Sequence, residues 1–186
     1  HPERLRRFRI VMPALPDHCR ISPLAAADIG QLTSLAREIW YQHYPGIITV
    51  KQIEYMLAQR YSPDAIRAQL QAGDAWWDKL QVRGELCGFA SYERGADAHT
   101  MKLDKLYVHP RFQRRGFGGM MIARAGVVAR SSGCSRLVLA VNKNNRSAIA
   151  AYLKHGFGIA NAVMKDIGGG FVMDDYIMVK PVTGGE

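Results

Sequence analysis

The chain has 186 residues and a formal net charge of +9 at neutral pH, with 48% apolar and 22% charged residues. This length suits one domain with its own core, and the ordinary composition excludes a disordered or low-complexity protein. No stretch approaches the ~18–20 apolar residues that a membrane-spanning helix needs, and the basic start lacks the apolar core of a secretory signal. We therefore expect a cytoplasmic protein with a tail over residues 1–18 and one domain over residues 19–186.

The first half of the predicted domain reads as a strand followed by helices. Residues 19–22 are typical of a short strand, and apolar residues recur at helical spacing over residues 25–41. Thr49 is placed to cap a second helix. A Ser-Pro pair at residues 62–63 predicts the start of a short third helix.

The second half alternates strands with helices. The patterns predict a hairpin over 77–92, a strand over 100–108, a buried helix over 117–131, a strand over 136–141, a helix over 142–155 and a closing hairpin over 159–180. Leaving the short third helix aside, the order is β-α-α-β-β-β-α-β-α-β-β. The sequence thus predicts a mixed α/β domain.

Cysteine and histidine usage argues against a disulfide framework and a metal site. Cys19, Cys87 and Cys134 are far apart and form no CxxC pair, which favours three small apolar residues in a reducing compartment. His43, His99, His109 and His155 have no partners at metal-ligand spacing, so surface or capping roles are expected for all four.

Positive charge is concentrated in one segment. Ten cations and no acidic residue lie from position 105 to position 154, and they are Lys105, Arg111, Arg114, Arg115, Arg124, Arg130, Arg136, Lys143, Arg146 and Lys154. Protein surfaces normally mix both signs of charge, so this segment indicates a polyanionic ligand. Nucleic acid and a phosphorylated cofactor both meet that description.

Residues 107–119 place a strand end, a basic turn and a helix N-terminus in succession. Gly116 and Gly118 let the backbone approach a ligand, and the helix dipole favours an anion such as pyrophosphate there. The dinucleotide-binding fingerprint does not fit, because Met121 stands where its third glycine belongs, and the Walker loop is absent. An ordinary glycine turn is the alternative interpretation.

Two motifs together resemble the GNAT superfamily of acyl-CoA-dependent N-acyltransferases. Residues 113–118 are similar to its pattern Gln/Arg-x-x-Gly-x-Gly/Ala. Residues 142–157 are similar to a second pattern, Asn-x-x-Asn-x-x-Ala-x-x-x-Tyr-x-x-x-Gly-Phe. On a helix that begins near Asn145, that residue shares a face with Ala148 and Tyr152.

The resemblance implies a mostly antiparallel central sheet with helices on both faces, and acetyl-CoA as cosubstrate. The cofactor-binding residues that it implies are Leu106, Tyr107, Val108, Gln113, Arg114, Arg115, Gly116, Phe117, Gly118, Gly119, Asn142, Asn145, Ala148 and Tyr152. An amine would attack the thioester directly, and a backbone N–H of the 103–108 strand would stabilise the oxyanion.

Tyr152 is the predicted general acid. Its unperturbed pKa of ~10 suits protonation of a thiolate whose conjugate thiol has a pKa of ~8.5. A core aromatic with a bonded hydroxyl is the alternative. Some family members keep a catalytic Glu where this chain has Lys102, so Asp104, Tyr107 or a water relay are left open as the base.

The segment 37–57 is similar to bacterial diamine or spermidine acetyltransferases, which implies a small amine as partner. The acceptor-site candidates are Tyr41, Tyr44, Glu54 and Tyr55, with an aromatic packing cluster as the alternative. Acids that border the acceptor side in this family are Glu38, Glu54, Asp104, Asp174 and Asp175. The rival functions are a basic nucleic-acid-binding module and an acyl-CoA sensor without turnover, and a homodimer is left open.

Overall fold

A seven-stranded sheet runs through residues 18–182, the part of the chain that this computed structural model describes. In spatial order its strands are β1 (Cys19–Pro23), β2 (Ala75–Val82), β3 (Glu85–Arg94), β4 (Thr100–Val108), β5 (Arg136–Asn142), β7 (Phe171–Pro181) and β6 (Gly158–Gly168). Strands β4 and β5 pair in parallel, and the other neighbours are antiparallel. The predicted mostly antiparallel sheet is confirmed, while the predicted tail, apart from His18, lies outside the described residues.

Helices cover both faces of the sheet, as predicted. They are α1 (Ile29–His43), α2 (Val50–Arg60), α3 (Pro63–Ala72), α4 (Phe117–Ser131) and α5 (Arg146–Lys154). Helices α1 to α3 pack with Trp77 and Phe89 into one core cluster, and α4 and α5 pack with Leu137 and Met178 into another. The two clusters lie on opposite faces because successive strand residues point to opposite sides.

Local signals account for the helix starts on the first face. The Thr49 side chain accepts a hydrogen bond from the backbone N–H of Gln52, and the Ser62 side chain accepts one from Ala65. Pro63 occupies the first turn of α3, where a missing N–H costs nothing. The capping and proline signals therefore identified both starts correctly.

Helix α5 begins later than the predicted residue 142. Asn142 still belongs to β5, where it pairs with Asp175 of β7, and the helix begins at Arg146. The apolar spacing of the segment does not distinguish the end of a strand from the start of a helix. Pairing with β7, a partner distant in sequence, decides the boundary.

Strands β4 and β5 diverge after a short stretch of pairing. Their last matched pair is Lys102 with Val138. Directly beyond it, the register between β3 and β4 shifts, so that Ser91 pairs with Lys105 and Tyr92 with Leu103, leaving the intervening β4 residue unmatched. A β-bulge bends its strand and increases the local twist. The two parallel strands therefore separate toward their C-terminal ends.

Candidate active site

A cavity of 830 Å³ lies where β4 and β5 diverge. Helices α1 and α2 border it on one face of the sheet, and the start of α4 and the length of α5 border it on the other. Thirteen of the fourteen predicted cofactor-binding residues line it: Leu106, Tyr107, Val108, Gln113, Arg114, Gly116, Phe117, Gly118, Gly119, Asn142, Asn145, Ala148 and Tyr152. The exception is Arg115, which is exposed and lies over the ring of Phe112 at 5.4 Å.

The glycine turn before α4 opens into this cavity. Gly116 precedes the helix with a φ of +81°, a conformation that side chains with a Cβ rarely adopt. A Cβ on Gly116 or Gly118 would meet no described atom within 4 Å, whereas one on Gly119 would lie 2.6 Å from the ring of His155. A side chain at position 119 would therefore require the ring of His155, the residue that follows α5, to move. The first two glycines leave free space in front of the backbone N–H groups of a helix start, which suits an anion.

Half of the cations in the basic segment are paired with acidic residues. Lys105, Arg111, Arg124, Arg136 and Lys143 each form a salt bridge with an Asp or Glu from outside the segment. Within residues 18–182, Arg114, Arg115, Arg130, Arg146 and Lys154 form no such pair. Two of these, Arg114 and Lys154, line the cavity. The excess charge at the cavity mouth is therefore smaller and more localised than the sequence indicated.

Tyr152 forms part of the cavity wall. Its ring packs edge-on against Phe157, with 5.5 Å between the ring centroids, and this contact fixes the direction of the side chain. Burial raises the pKa of the Tyr152 hydroxyl to about 12. The hydroxyl therefore carries its proton throughout the neutral and moderately alkaline range.

A second pair of phenols lies on the α1 side of the cavity. The hydroxyl oxygens of Tyr44 and Tyr107 are 2.7 Å apart, and both side chains line the cavity. Burial raises the pKa of both hydroxyls, and the nearby Tyr152 raises each further. These three tyrosines, distant in sequence, thus surround one region of the cavity.

His43 belongs to the site, contrary to the surface or capping role expected for it. It lines the cavity, and its Nε2–H donates to Oδ1 of Asn145 at 2.9 Å. Asn145 is 4% exposed and makes no side-chain capping bond to α5, so it orients His43 instead of capping the helix. His43 and Asn145 are 102 positions apart, so no local sequence pattern predicts their contact. The sequence indicates only that each is a polar residue near the end of a predicted helix.

Asp104 lines the cavity but is fully engaged by cations. Its carboxylate lies 2.9 Å from Arg60 and 2.7 Å from Lys105, with Lys102 at 3.6 Å. Burial alone would raise the pKa of Asp104, but these three cations outweigh it and hold the pKa well below its ordinary value. A carboxylate so stabilised as an anion is a poor proton acceptor. The structure therefore disfavours Asp104 as the base that the sequence had left open.

Of the four predicted acceptor-site residues, the structure brings only Tyr44 to the cavity. Tyr41 and Arg37 both donate hydrogen bonds to Glu54 on the exposed surface of α1 and α2. The Tyr55 hydroxyl donates to the backbone oxygen of Ile167 at 2.8 Å. Cavity-lining residues on this side that sequence reasoning missed are Trp40, His43, Gln52, Met56, Arg60 and Met173.

The sequence matches a known family over most of its length. The profile of the acetyltransferase (GNAT) family matches residues 35–157, which include both glycine and asparagine motifs and the whole of β4 and β5. The chain belongs to the GNAT family. It is accordingly an acetyl-CoA-dependent N-acetyltransferase. The predicted family, enzyme class and cosubstrate are confirmed.

The chain is also similar to individual N-acetyltransferases, both in sequence and in solved structure. A spermidine N(1)-acetyltransferase of Thermoplasma acidophilum is 25% identical over 158 residues, which are 83% of this GNAT chain and 94% of the relative. An uncharacterised N-acetyltransferase of Mycobacterium tuberculosis is 32% identical over 100 residues, 54% of this chain and 63% of that protein.

The crystal structure of PaiA N-acetyltransferase from Thermoplasma acidophilum, in complex with coenzyme A, has a TM-score of 0.74 at 24% identity and covers 88% of this chain and 98% of its own. The ribosomal-protein-S18-alanine N-acetyltransferase of Escherichia coli has a TM-score of 0.67 at 20% identity, with 90% and 96% covered. Both likenesses show the GNAT fold.

In residues 18–182 no helix is long and apolar enough to cross a membrane.

Proposed function

We propose that this GNAT enzyme transfers the acetyl group of acetyl-CoA to a primary amine of a small cationic acceptor, within the cavity between β4 and β5. One observation carries the proposal. A helix start with open glycines, two separated strand edges and the Tyr152 hydroxyl all border the same 830 Å³ space.

The cavity walls fit coenzyme A in their chemistry. The glycine turn at residues 116–118 offers backbone N–H groups to the pyrophosphate. Arg114 and Lys154 are nearby and form no salt bridge with any residue from 18 to 182. Beyond Lys102, the facing edges of β4 and β5 are not bonded to each other, so the β4 backbone at residues 106–108 is available to an extended pantetheine arm. These proposed roles concern the thirteen predicted cofactor-binding residues that line the cavity, and exposed Arg115 is not one of them.

Acetyl-CoA supplies a thioester carbonyl that the amine attacks directly. A backbone N–H of β4 stabilises the charge that develops on the carbonyl oxygen, because the strand fixes its position before the reaction. Tyr152 holds a proton for the leaving sulfur, since burial keeps its pKa near 12, above that of a thiol. We assign no residue as the base that would deprotonate the amine. Asp104 is a poor proton acceptor, because three cations stabilise its anionic form.

Closure of one side of the cavity supports a small acceptor. Helix α2 contacts the β6–β7 hairpin through the Tyr55 hydroxyl on Ile167 O at 2.8 Å and through Gln52 Nε2 on Val172 O at 3.2 Å. The rings of Tyr55 and Phe171 lie 5.1 Å apart. These contacts join α2 to the β6–β7 hairpin, and in our proposal a side closed in this way favours a small acceptor over an extended peptide. The spermidine acetyltransferase among the relatives points to the same class of acceptor.

An amine panel tests the proposal. We would measure kcat/KM by release of the CoA thiol with spermidine, a short diamine, free amino acids and peptides with a free N-terminus, all at equal ionic strength. We expect the polyamine and diamine to be the best substrates. Faster acetylation of peptides would contradict the acceptor class, and absence of thiol release with every amine would contradict turnover itself.

A further inference from the structure

Asp175 of β7 is a buried carboxylate without a counter-ion. Its side chain is 4% exposed, and its Oδ1 has no hydrogen-bond partner. Within residues 18–182, the carboxylate forms neither a salt bridge nor a side-chain hydrogen bond. An unpaired charge is costly to bury, so such a group needs an explanation in a folded enzyme.

The sheet register places Asp175 beside the cavity. It pairs directly with Asn142 of β5, so the two side chains point to the same face of the sheet. Met173 lies two residues along β7 and therefore points to that face as well. Asn142 and Met173 both line the cavity, and Met173 also packs in the core cluster of α1 and α2. Asp175 therefore neighbours two cavity-lining residues on the face that α2 covers, although it does not itself line the cavity.

The nearest cations are bound to other acids. Arg60 of α2 lies close enough to stabilise the Asp175 anion, but its guanidinium is bonded to Asp104 at 2.9 Å. Lys143 is bonded to Asp174 at 2.8 Å, and Asp174, the next residue of the strand, points to the other face. Burial raises the pKa of Asp175, the neighbouring Asp174 raises it further, and the two cations only partly oppose this. The site therefore lacks one positive charge.

We propose that Asp175 supplies the counter-ion for the second, non-reacting ammonium group of a diamine or polyamine acceptor. This inference rests on the proposed function. Strand β7 lies one strand spacing, about 4.8 Å, beyond β5, the strand that borders the gap. A few methylene groups span that distance, so one amino group would reach the thioester while the other reaches Asp175. The carboxylate thus selects acceptors with two charges and takes no part in the chemical step.

The test compares D175N with D174N. Both variants remove one carboxylate from adjacent positions of β7, but Asp174 is bonded to Lys143, whereas Asp175 forms no salt bridge within residues 18–182. We expect D175N to raise the KM for spermidine at least ~10-fold with little change in kcat, in line with a charge-assisted contact. It should leave the KM for acetyl-CoA and the kcat/KM for an alkyl monoamine unchanged. D174N should resemble the wild type in all four constants.

A binding measurement accompanies the kinetics. We expect spermidine to raise the melting temperature of the wild type and of D174N, and to leave that of D175N unchanged. If D175N does not fold, Asp175→Ser replaces it with the same expectation.

The results separate this inference from the proposed function. A wild-type enzyme that acetylates spermidine, together with a D175N variant of unchanged KM, would overturn the inference alone. A D175N variant with an equal loss of kcat for monoamines and polyamines would overturn it as well, because the carboxylate would then act in the chemical step or in the fold. A wild type that acetylates no polyamine would remove both proposals.

Discussion

His43 at the end of α1 donates its Nε2–H to Oδ1 of Asn145, the residue before α5, at 2.9 Å. The two helices lie on opposite faces of the sheet, so this bond joins the two halves of the cavity wall at the open end of the gap between β4 and β5. Both side chains line the cavity, so the bond holds the His43 ring and the Asn145 amide in place beside it.

A double-mutant cycle on this pair measures how strongly the two walls are joined. We expect His43→Ala and Asn145→Ala to show a coupling of about 1 kcal/mol in the free energy of unfolding, because a buried hydrogen bond contributes about that much. Urea denaturation of the four proteins gives the value. The control cycle pairs Asn145→Ala with His99→Ala, an exposed position, and should show no coupling. Equal couplings in the two cycles would show that the bond adds nothing to stability.

Gly116 and Gly30 offer a matched pair of alanine substitutions. A Cβ meets no described atom at either position, but Gly116 has a φ of +81° whereas Gly30 lies in regular α1 helix. We expect Gly116→Ala to lower the free energy of unfolding by about 1 kcal/mol and to reduce the melting-temperature rise caused by coenzyme A. Gly30→Ala should raise stability by up to about 1 kcal/mol and leave the coenzyme A effect unchanged. Normal coenzyme A binding by Gly116→Ala would show that the turn has a structural role only.

Tyr152→Phe removes the proton donor and keeps the ring packing against Phe157. We expect kcat to fall about 10²-fold or more with little change in coenzyme A affinity, since general acid catalysis contributes at least that much. Tyr176→Phe on β7, a half-buried tyrosine of the same core cluster, is the control and should keep wild-type kcat. The pH profile adds a second test. Burial raises the pKa of Tyr152 to about 12. At any pH below about 11 the residue therefore keeps its proton, and kcat of the wild type should not fall for want of it.

Asp104→Asn breaks the buried cluster with Arg60 and Lys105. We expect a loss of about 3 kcal/mol in the free energy of unfolding at neutral pH, because the variant leaves buried cations without their anion. The pKa of Asp104 is lower in the folded protein than its ordinary value. The carboxylate therefore contributes fully to the free energy of unfolding above the ordinary pKa, and this contribution is lost as the pH falls below that pKa.

Urea denaturation between pH 5 and pH 2 tests this pH dependence. The wild type should lose stability over this range more steeply than Asp104→Asn does. The exposed pair of Asp64 with Arg67 provides the control, and Asp64→Asn should change the slope little. A wild type and an Asp104→Asn variant with parallel slopes would contradict the depressed pKa.

Much of the fold followed from local patterns. Thr49 and the Ser62-Pro63 pair start helices because side-chain caps and a fixed proline φ act within one turn of the chain. Both cofactor motifs were recognisable in the sequence, because each consists of contiguous residues. One contains the glycine turn at residues 116–118 and the other contains Tyr152. The sequence also placed β4 at residues 100–108, with the bounds that the structure has.

Side-chain partnerships across the fold were not predictable in the same way. Asp104, Glu54 and Asp175 are similar acids in the sequence, yet their surroundings differ. The first is neutralised by α2 and β4 cations, the second is bonded to α1 on the surface, and the third is buried without a partner among the described residues. The first two outcomes depend on contacts with residues 44 and 17 positions away.

The sequence by itself determined the family, the cosubstrate and the elements that carry the cofactor motifs, because these depend on contiguous residues. Only the tertiary structure decided which acids and tyrosines meet in the cavity. The bulge in β4 separates it from β5, and the register of β7 turns Asp175 toward the same face as Asn142 and Asp174 toward the other. Such contacts are set by strand pairing between distant segments, where a shift of one residue exchanges the two faces of a strand.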